Sequence, residues 1–103
     1  MAKVIIGGVE YPVSVTFGAI ASYLESVGED SAEGLAAFYK LPPSRYPAFI
    51  VACVNEGLRA EGSEERITPD DVAGSSIMEV GAAAAVLFRE MTPKSSPGEK
   101  KKD

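Results

Sequence analysis

Two adjacent pairs of acids, Glu64-Glu65 and Asp70-Asp71, and one thiol, Cys53, are the side chains of this sequence best suited to chemistry. Paired carboxylates can share the work of a general acid and a general base. Both pairs fall where acids serve structure instead. Glu64-Glu65 lies in a polar loop, and Asp70-Asp71 follows Thr68-Pro69 in a helix start whose first turn favours negative charge. A nucleophilic thiol needs a base or a cation beside it to form the thiolate. Cys53 sits among apolar residues, and the chain has no histidine. One cysteine without histidine also falls short of a zinc ligand set. Gly7-Gly8 lacks the downstream Gly-Lys-Ser/Thr and the helix of a phosphate-binding loop, so it reads as a turn. These residues predict no catalytic centre, no metal and no cofactor, and hence no enzyme.

Composition narrows the class further. A chain of 103 residues with 46% hydrophobic side chains has the size and make-up of one globular domain. Residues 1–91 carry 6 basic against 13 acidic side chains, a net −7, while residues 92–103 carry 4 lysines against 2 acids, a net +2. An acidic body opposes binding to nucleic acid, because phosphate contacts need a basic face. A single cysteine forms no internal disulfide, which fits a reducing cytoplasm. No apolar run reaches the roughly 18–20 residues that span a bilayer, so no membrane role is expected. MAKVIIGG is too short and too strand-like for a signal peptide.

The element expected to position everything else is Ser44 to Gly62. Wound at about 3.6 residues per turn, it puts Tyr46, Phe49, Ile50, Val51, Cys53, Val54 and Leu58 on one arc. Arg45, Asn55, Glu56 and Arg59 occupy the remainder. The arc covers roughly 200°, wider than the stripe of a helix that lies on one neighbour. Such a helix must be covered from two sides. Ser44 is its expected cap, and Pro47 is tolerated within the first turn.

The cover is read in chain order. Residues 3–15 predict a β-hairpin, with Gly7-Gly8 as a type I′ turn pairing Ile6 with Val9, Val4 with Tyr11 and Lys3 with Pro12. In that register Pro12 falls at a non-hydrogen-bonded position, where its missing N–H is harmless. One face carries Val4, Ile6, Val9, Tyr11, Val13 and Val15; the other carries Ile5, Glu10, Pro12 and Ser14. Thr16 caps a helix lined by Phe17, Ile20, Ala21, Tyr23, Leu24 and Val27, and Gly28 stops it. Asp30 to Glu33 has the spacing of a capping box and opens a short helix through Leu35, Phe38 and Tyr39, which Pro42-Pro43 ends. Thr68-Pro69-Asp70-Asp71 opens another short helix, broken at Gly74. Ser75 or Ser76 starts the last helix, whose core stripe is Ile77, Val80, Ala84, Leu87, Phe88 and Met91. Thr92-Pro93 stops it, and the apolar-free remainder predicts a disordered tail. The fold class is therefore α+β, mainly α. An N-terminal hairpin is followed by four to five helices around a central apolar one, all in one domain over residues 1–91.

One face of the last helix is left over. Met78, Ala82 and Val86 recur at i, i+4 and i+8, with Ala85 beside them, away from the core stripe. Alanine is a good surface helix former, which explains the run without any function. The functional reading is a flat strip of small residues that another helix approaches, as a partner face or a contact between copies of this chain. Lys100, Lys101 and Lys102 form a candidate electrostatic handle, although charged terminal runs are most often simply solvated.

Two resemblances bear on function. Asp30-Ser31 resembles the start of the helix that carries phosphopantetheine in acyl carrier proteins, which implies modification at Ser31. Ala32 stands where that family usually has leucine, and a hairpin stands where its first helix begins. More of the chain is similar to the tail assembly chaperones of long-tailed bacteriophages. Those chains often open with a hairpin of pattern φ-x-φ-x-G-x-x-Y-x-φ-x-φ-[ST]-φ-G, with φ apolar, running into an amphipathic helix. Val4, Ile6, Gly8, Tyr11, Val13, Val15, Thr16, Phe17 and Gly18 occupy those places. A central apolar helix, an ITPDDV-like step at residues 67–72 and a closing helix follow the same plan over residues 3–91. The resemblance implies a non-enzymatic role in the host cytoplasm, holding the tape-measure protein or tail-tube subunits before the tail polymerises. It also implies a longer product made by frameshifting, for which the codons of Lys100 to Lys102 are the candidate slippery run. The alternative from another class is a small tail or head–tail connector protein that stays in the virion.

Overall fold

Gly7 and Gly8, with φ of 61° and 81°, take the left-handed pair of conformations that a two-residue type I′ turn requires. In the computed structural model, which describes residues 2–91 apart from the side chain of Tyr39, that turn joins β1 (Lys3–Ile6) to β2 (Val9–Pro12). The strands pair antiparallel as Ile6↔Val9, Val4↔Tyr11 and Lys3↔Pro12, the register expected from the turn. The chain is α+β and mainly helical. After the hairpin come α1 (Phe17–Ser26), α2 (Ala32–Ala37), α3 (Tyr46–Ala60), α4 (Pro69–Ala73) and α5 (Ile77–Met91). Short 3₁₀ turns at Phe38–Lys40 and Pro43–Arg45 bridge α2 to α3.

α3 is the centre, as its wide apolar arc predicts. Phe49, Ile50, Cys53, Val54 and Leu58 are buried, and α1, α4, α5 and β2 all pack on it. Tyr46 and Val51 lie at the rim of the arc and are half-buried. Phe49 joins the layers. Its ring centroid lies 5.8 Å from Tyr23 of α1, 5.1 Å from Phe38 and 6.0 Å from Phe88 of α5, the spacing of favourable edge-to-face and tilted aromatic pairs.

β2 ends at Pro12, and the chain runs on, extended, across α3. There the Ser14 amide donates to the carbonyl of Cys53 at 3.1 Å. This crossing is close because Gly57, one turn further along α3, has no side chain. A Cβ at that position would stand 2.6 Å from the Pro12 carbonyl oxygen.

The caps follow the sequence in part. The Thr16 hydroxyl accepts from the Ala19 amide, and Thr68 forms a reciprocal capping box with Asp71. Gly28, at φ 74°, follows α1. Ser76 starts α5, its hydroxyl accepting from the Glu79 amide at 3.1 Å.

Several expectations are corrected. Asp30 does not cap α2. Ser31 does, accepting from the Gly34 amide, so the capping-box spacing from Asp30 to Glu33 is displaced by one residue. Ser44 does not cap α3, because the 3₁₀ turn at Pro43–Arg45 leads into it and leaves Arg45 at the cap position without a side-chain bond. Three residues assigned to the core face are exposed: Val9 at 50%, Phe17 at 74% and Ile77 at 86%. Each stands at the first position of its element. Ala83, outside the expected stripe of α5, is buried. The expected tail, residues 92–103, lies outside the described residues, and Lys100, Lys101 and Lys102 with it.

Candidate functional site

Of the residues singled out for chemistry, Cys53 packs in the core and Asp71 caps a helix, while the other acids are exposed. Cys53 is fully buried, and burial, with the Glu56 carboxylate adding to it, pushes its thiol up to about 12. No thiolate forms at neutral pH, so the group has no nucleophile to offer. Cys53 in the native protein is therefore expected to resist iodoacetamide at about pH 7.5, and to react fully once unfolded in urea. Intact mass reads both.

Asp71 is spent on its cap: its carboxylate accepts from the Thr68 amide at 2.8 Å. Asp70, Glu64 and Glu65 are exposed. The fold does bring Glu65 and Asp71 together, across a shallow hollow beside Tyr11 and Arg66. Partial burial, followed by the charges of Glu65 and Asp71, raises the Tyr11 phenol above its ordinary value. Glu56 pairs with Arg59 at 2.6 Å, and the guanidinium holds its carboxyl below the usual range. The stability this adds is present above the normal glutamate pKa and fades as the pH falls through the lowered one. Ser31 is exposed and its hydroxyl accepts from the Gly34 amide at 3.0 Å. It borders an apolar hollow with Phe17, Ile20, Leu24 and Leu35. Among the described residues no three His, Cys, Asp or Glu side chains converge as for a metal ion.

The remaining candidate is the small-residue face of α5, and here the fold adds what the sequence lacked. Met78, Ala82 and Val86 form one wall of a groove of about 370 Å³, and Lys3, Val4 and Ile5 of β1 form the other. Ala85 is exposed and stands outside the lining. The groove is open and apolar. Met78 is 79% exposed and Ile5 is 49% exposed, although they face each other across it. Lys3 and Glu10, paired at 3.7 Å, and Glu79 supply its rim charges.

Glu79 sets the geometry of this groove. Its two carboxylate oxygens accept from the turn amides of Gly7 at 2.9 Å and Gly8 at 3.1 Å. The two amides of the turn point outward and form a natural anion cradle. The carboxylate in the first turn of α5 fills it, which also suits the helix N-terminus. The hairpin tip is thereby tied to α5, and β1 is held alongside Met78 and Ala82. The sequence places Glu79 in a helix start, but nothing in a separation of 72 residues links it to the hairpin. Glu79→Ala is expected to cost about 1 kcal/mol, a discounted value for charge-assisted bonds at the surface. The urea midpoint and faster amide exchange at Gly7 and Gly8 check it.

No helix among the described residues is long and apolar enough to cross a membrane. Comparison with protein-family models, with curated proteins and with solved structures finds no match to this chain.

Proposed function

We propose that this chain is a non-enzymatic tail assembly chaperone of a long-tailed phage or prophage. It would act by holding the tape-measure protein, or tail-tube subunits, until the tail polymerises. The observation that carries the reading is the open groove between β1 and α5. An apolar surface with Ile5 and Met78 unfilled is what a protein kept ready for another protein presents. Three further features support it. The hairpin positions that resemble the chaperone family are the ones that build this region: Val4 and Ile6 anchor β1, Gly8 makes the turn and Val13 continues the strand into the core. The acidic body, at −7 over residues 1–91, keeps a bound, aggregation-prone partner in solution by charge. The one thiol is buried and the acid pairs are exposed or used in capping, which is in keeping with action by contact rather than reaction.

Virion proteomics tests this reading against a structural tail component. A chaperone is expected to be missing from purified particles and present in the lysate. Detection at tail-protein stoichiometry in the particle would replace the chaperone with the structural alternative. The carrier alternative has its own signature, a mass gain of about 340 Da on Ser31, the mass a phosphopantetheine arm adds by covalent modification of a serine.

A further inference from the structure

β1 has one edge committed and one edge open. The turn and the pairs Ile6↔Val9 and Val4↔Tyr11 make those the hydrogen-bonded pairs, so the N–H and C=O groups of Lys3 and Ile5 point away from β2. None of these four groups takes part in a hydrogen bond among the described residues. The far edge of β2 leaves the Glu10 N–H and C=O open but is closed beyond them. Pro12 has no N–H to present, and the Ser14 amide is held by α3. Proteins commonly blunt an exposed edge with proline or charge. β1 has only Lys3, whose charge is already paired with Glu10. Lys3, Val4 and Ile5 of this strand, with Glu10 beside them, line one bank of the groove, and Met78, Ala82 and Val86 line the other.

We infer that the groove is a strand-addition site, where an extended segment of another protein, apolar at alternate positions and basic between them, joins the open edge of β1. Its apolar side chains lie on the Met78–Ala82–Val86 strip of α5. The inference deepens the protein-binding reading and rests on it. Unpaired backbone donors and acceptors are matched by an extended backbone, whereas a helix has already satisfied its own. Alternate residues of an added strand point to one face, and Ala82 is small enough to let that face settle. Charge selects the occupant. On the rim Lys3 and Glu10 offset each other and Glu79 is engaged by the turn amides, so the long-range charge of the body, −7 over residues 1–91, is what favours a basic segment. A second copy is itself acidic, at a net −5. The chain's own residues 92–103 contain no apolar side chain to fill the groove.

The test uses the full ¹⁵N-labelled chain and a capped peptide of alternating valine and lysine, about nine residues long, within the usual range for a strand. Binding is expected to slow exchange of the Lys3 and Ile5 amides, which are open in the free protein. Ile5→Pro removes the outward N–H without touching a ladder bond and is expected to weaken binding about tenfold or more, the equivalent of one or two lost hydrogen bonds. Ala82→Glu is expected to do the same from the other bank, and Ala85→Glu to leave binding unchanged. Exchange at Val4 and Ile6, inside the ladder, shows whether Ile5→Pro keeps the hairpin. If it does not, protection of the Lys3 and Ile5 amides in the wild-type complex decides. Equal binding to wild type and Ile5→Pro, with those amides still open, overturns strand addition. Protein binding survives that result if Ala82→Glu still abolishes capture of a tail protein. A concentration-dependent dimer that protects the Ile5 amide, with no response to the peptide, makes a second copy the occupant and overturns the inference as stated. Absence of any binding or protection overturns it outright.

Discussion

Phe49→Ala is expected to destabilise the protein by about 3–5 kcal/mol, the range for removing a buried aromatic ring from a core that collapses only partly. For a chain of this size that is a large share of the whole folding free energy, so the variant is expected to be largely unfolded at about 37 °C. The effect is large because Phe49 belongs to three interfaces at once. Its ring meets Tyr23, Phe38 and Phe88, and these come from α1, the turn after α2, and α5. Truncation therefore loosens three contacts rather than one. Thermal unfolding followed by circular dichroism checks it. A shift in the midpoint of only a degree or two would mean that α3 is not the centre of the fold.

Gly57→Ala is expected to cost about 2 kcal/mol, although alanine in place of helical glycine normally gains about 1 kcal/mol. The sign is decided by backbone. The new Cβ would lie 2.6 Å from the Pro12 oxygen, 2.7 Å from its carbonyl carbon and 2.9 Å from the Val13 Cα. None of these atoms can move without lifting the chain off α3. That costs up to about 3 kcal/mol as overpacking, together with the bond from Ser14 to Cys53. Gly81, on the exposed side of α5, offers open space instead: a Cβ added there would meet no atom within 4 Å. Gly81→Ala is therefore expected to stabilise by about 0.5–1 kcal/mol. Chemical denaturation of the two variants side by side reads the contrast, and the same sign for both would contradict the close crossing.

The hairpin and the central helix are legible in the sequence because each rests on a local rule. Two glycines demand a type I′ turn, the turn sets the register, and the register places Pro12 harmlessly. The apolar arc of residues 46–58 is wide enough to require cover on two sides whatever the partners are. The first residues of three elements escape such rules for one common reason. Periodicity assigns Val9, Phe17 and Ile77 to an inner face, but burial also needs cover at that end of the element, and at these first positions the cover is incomplete. The caps at Ser31 and Arg45 turn on a shift of one residue or one 3₁₀ turn, which spacing alone does not resolve.

The candidate site is legible in half. The strip Met78, Ala82 and Val86 is visible as a leftover face of a helix, and its other bank is not. That bank is β1, brought beside α5 by the bonds from Gly7 and Gly8 to Glu79, a contact with no trace in local sequence. Its arrival also changes what the face offers. In sequence the strip suggests helix against helix, whereas the fold sets it beside an open strand edge.

The claim that this molecule works by holding another protein is tested most directly by co-expression. Under the proposed role, a phage tape-measure protein would be produced with the wild-type chain, with Ala82→Glu, and alone. The account predicts soluble tape-measure protein that co-sediments with the wild-type chain, and its loss to the pellet with Ala82→Glu, whose fold by circular dichroism is unchanged. Tape-measure protein that is equally soluble in all three cases, with nothing co-sedimenting, would contradict it.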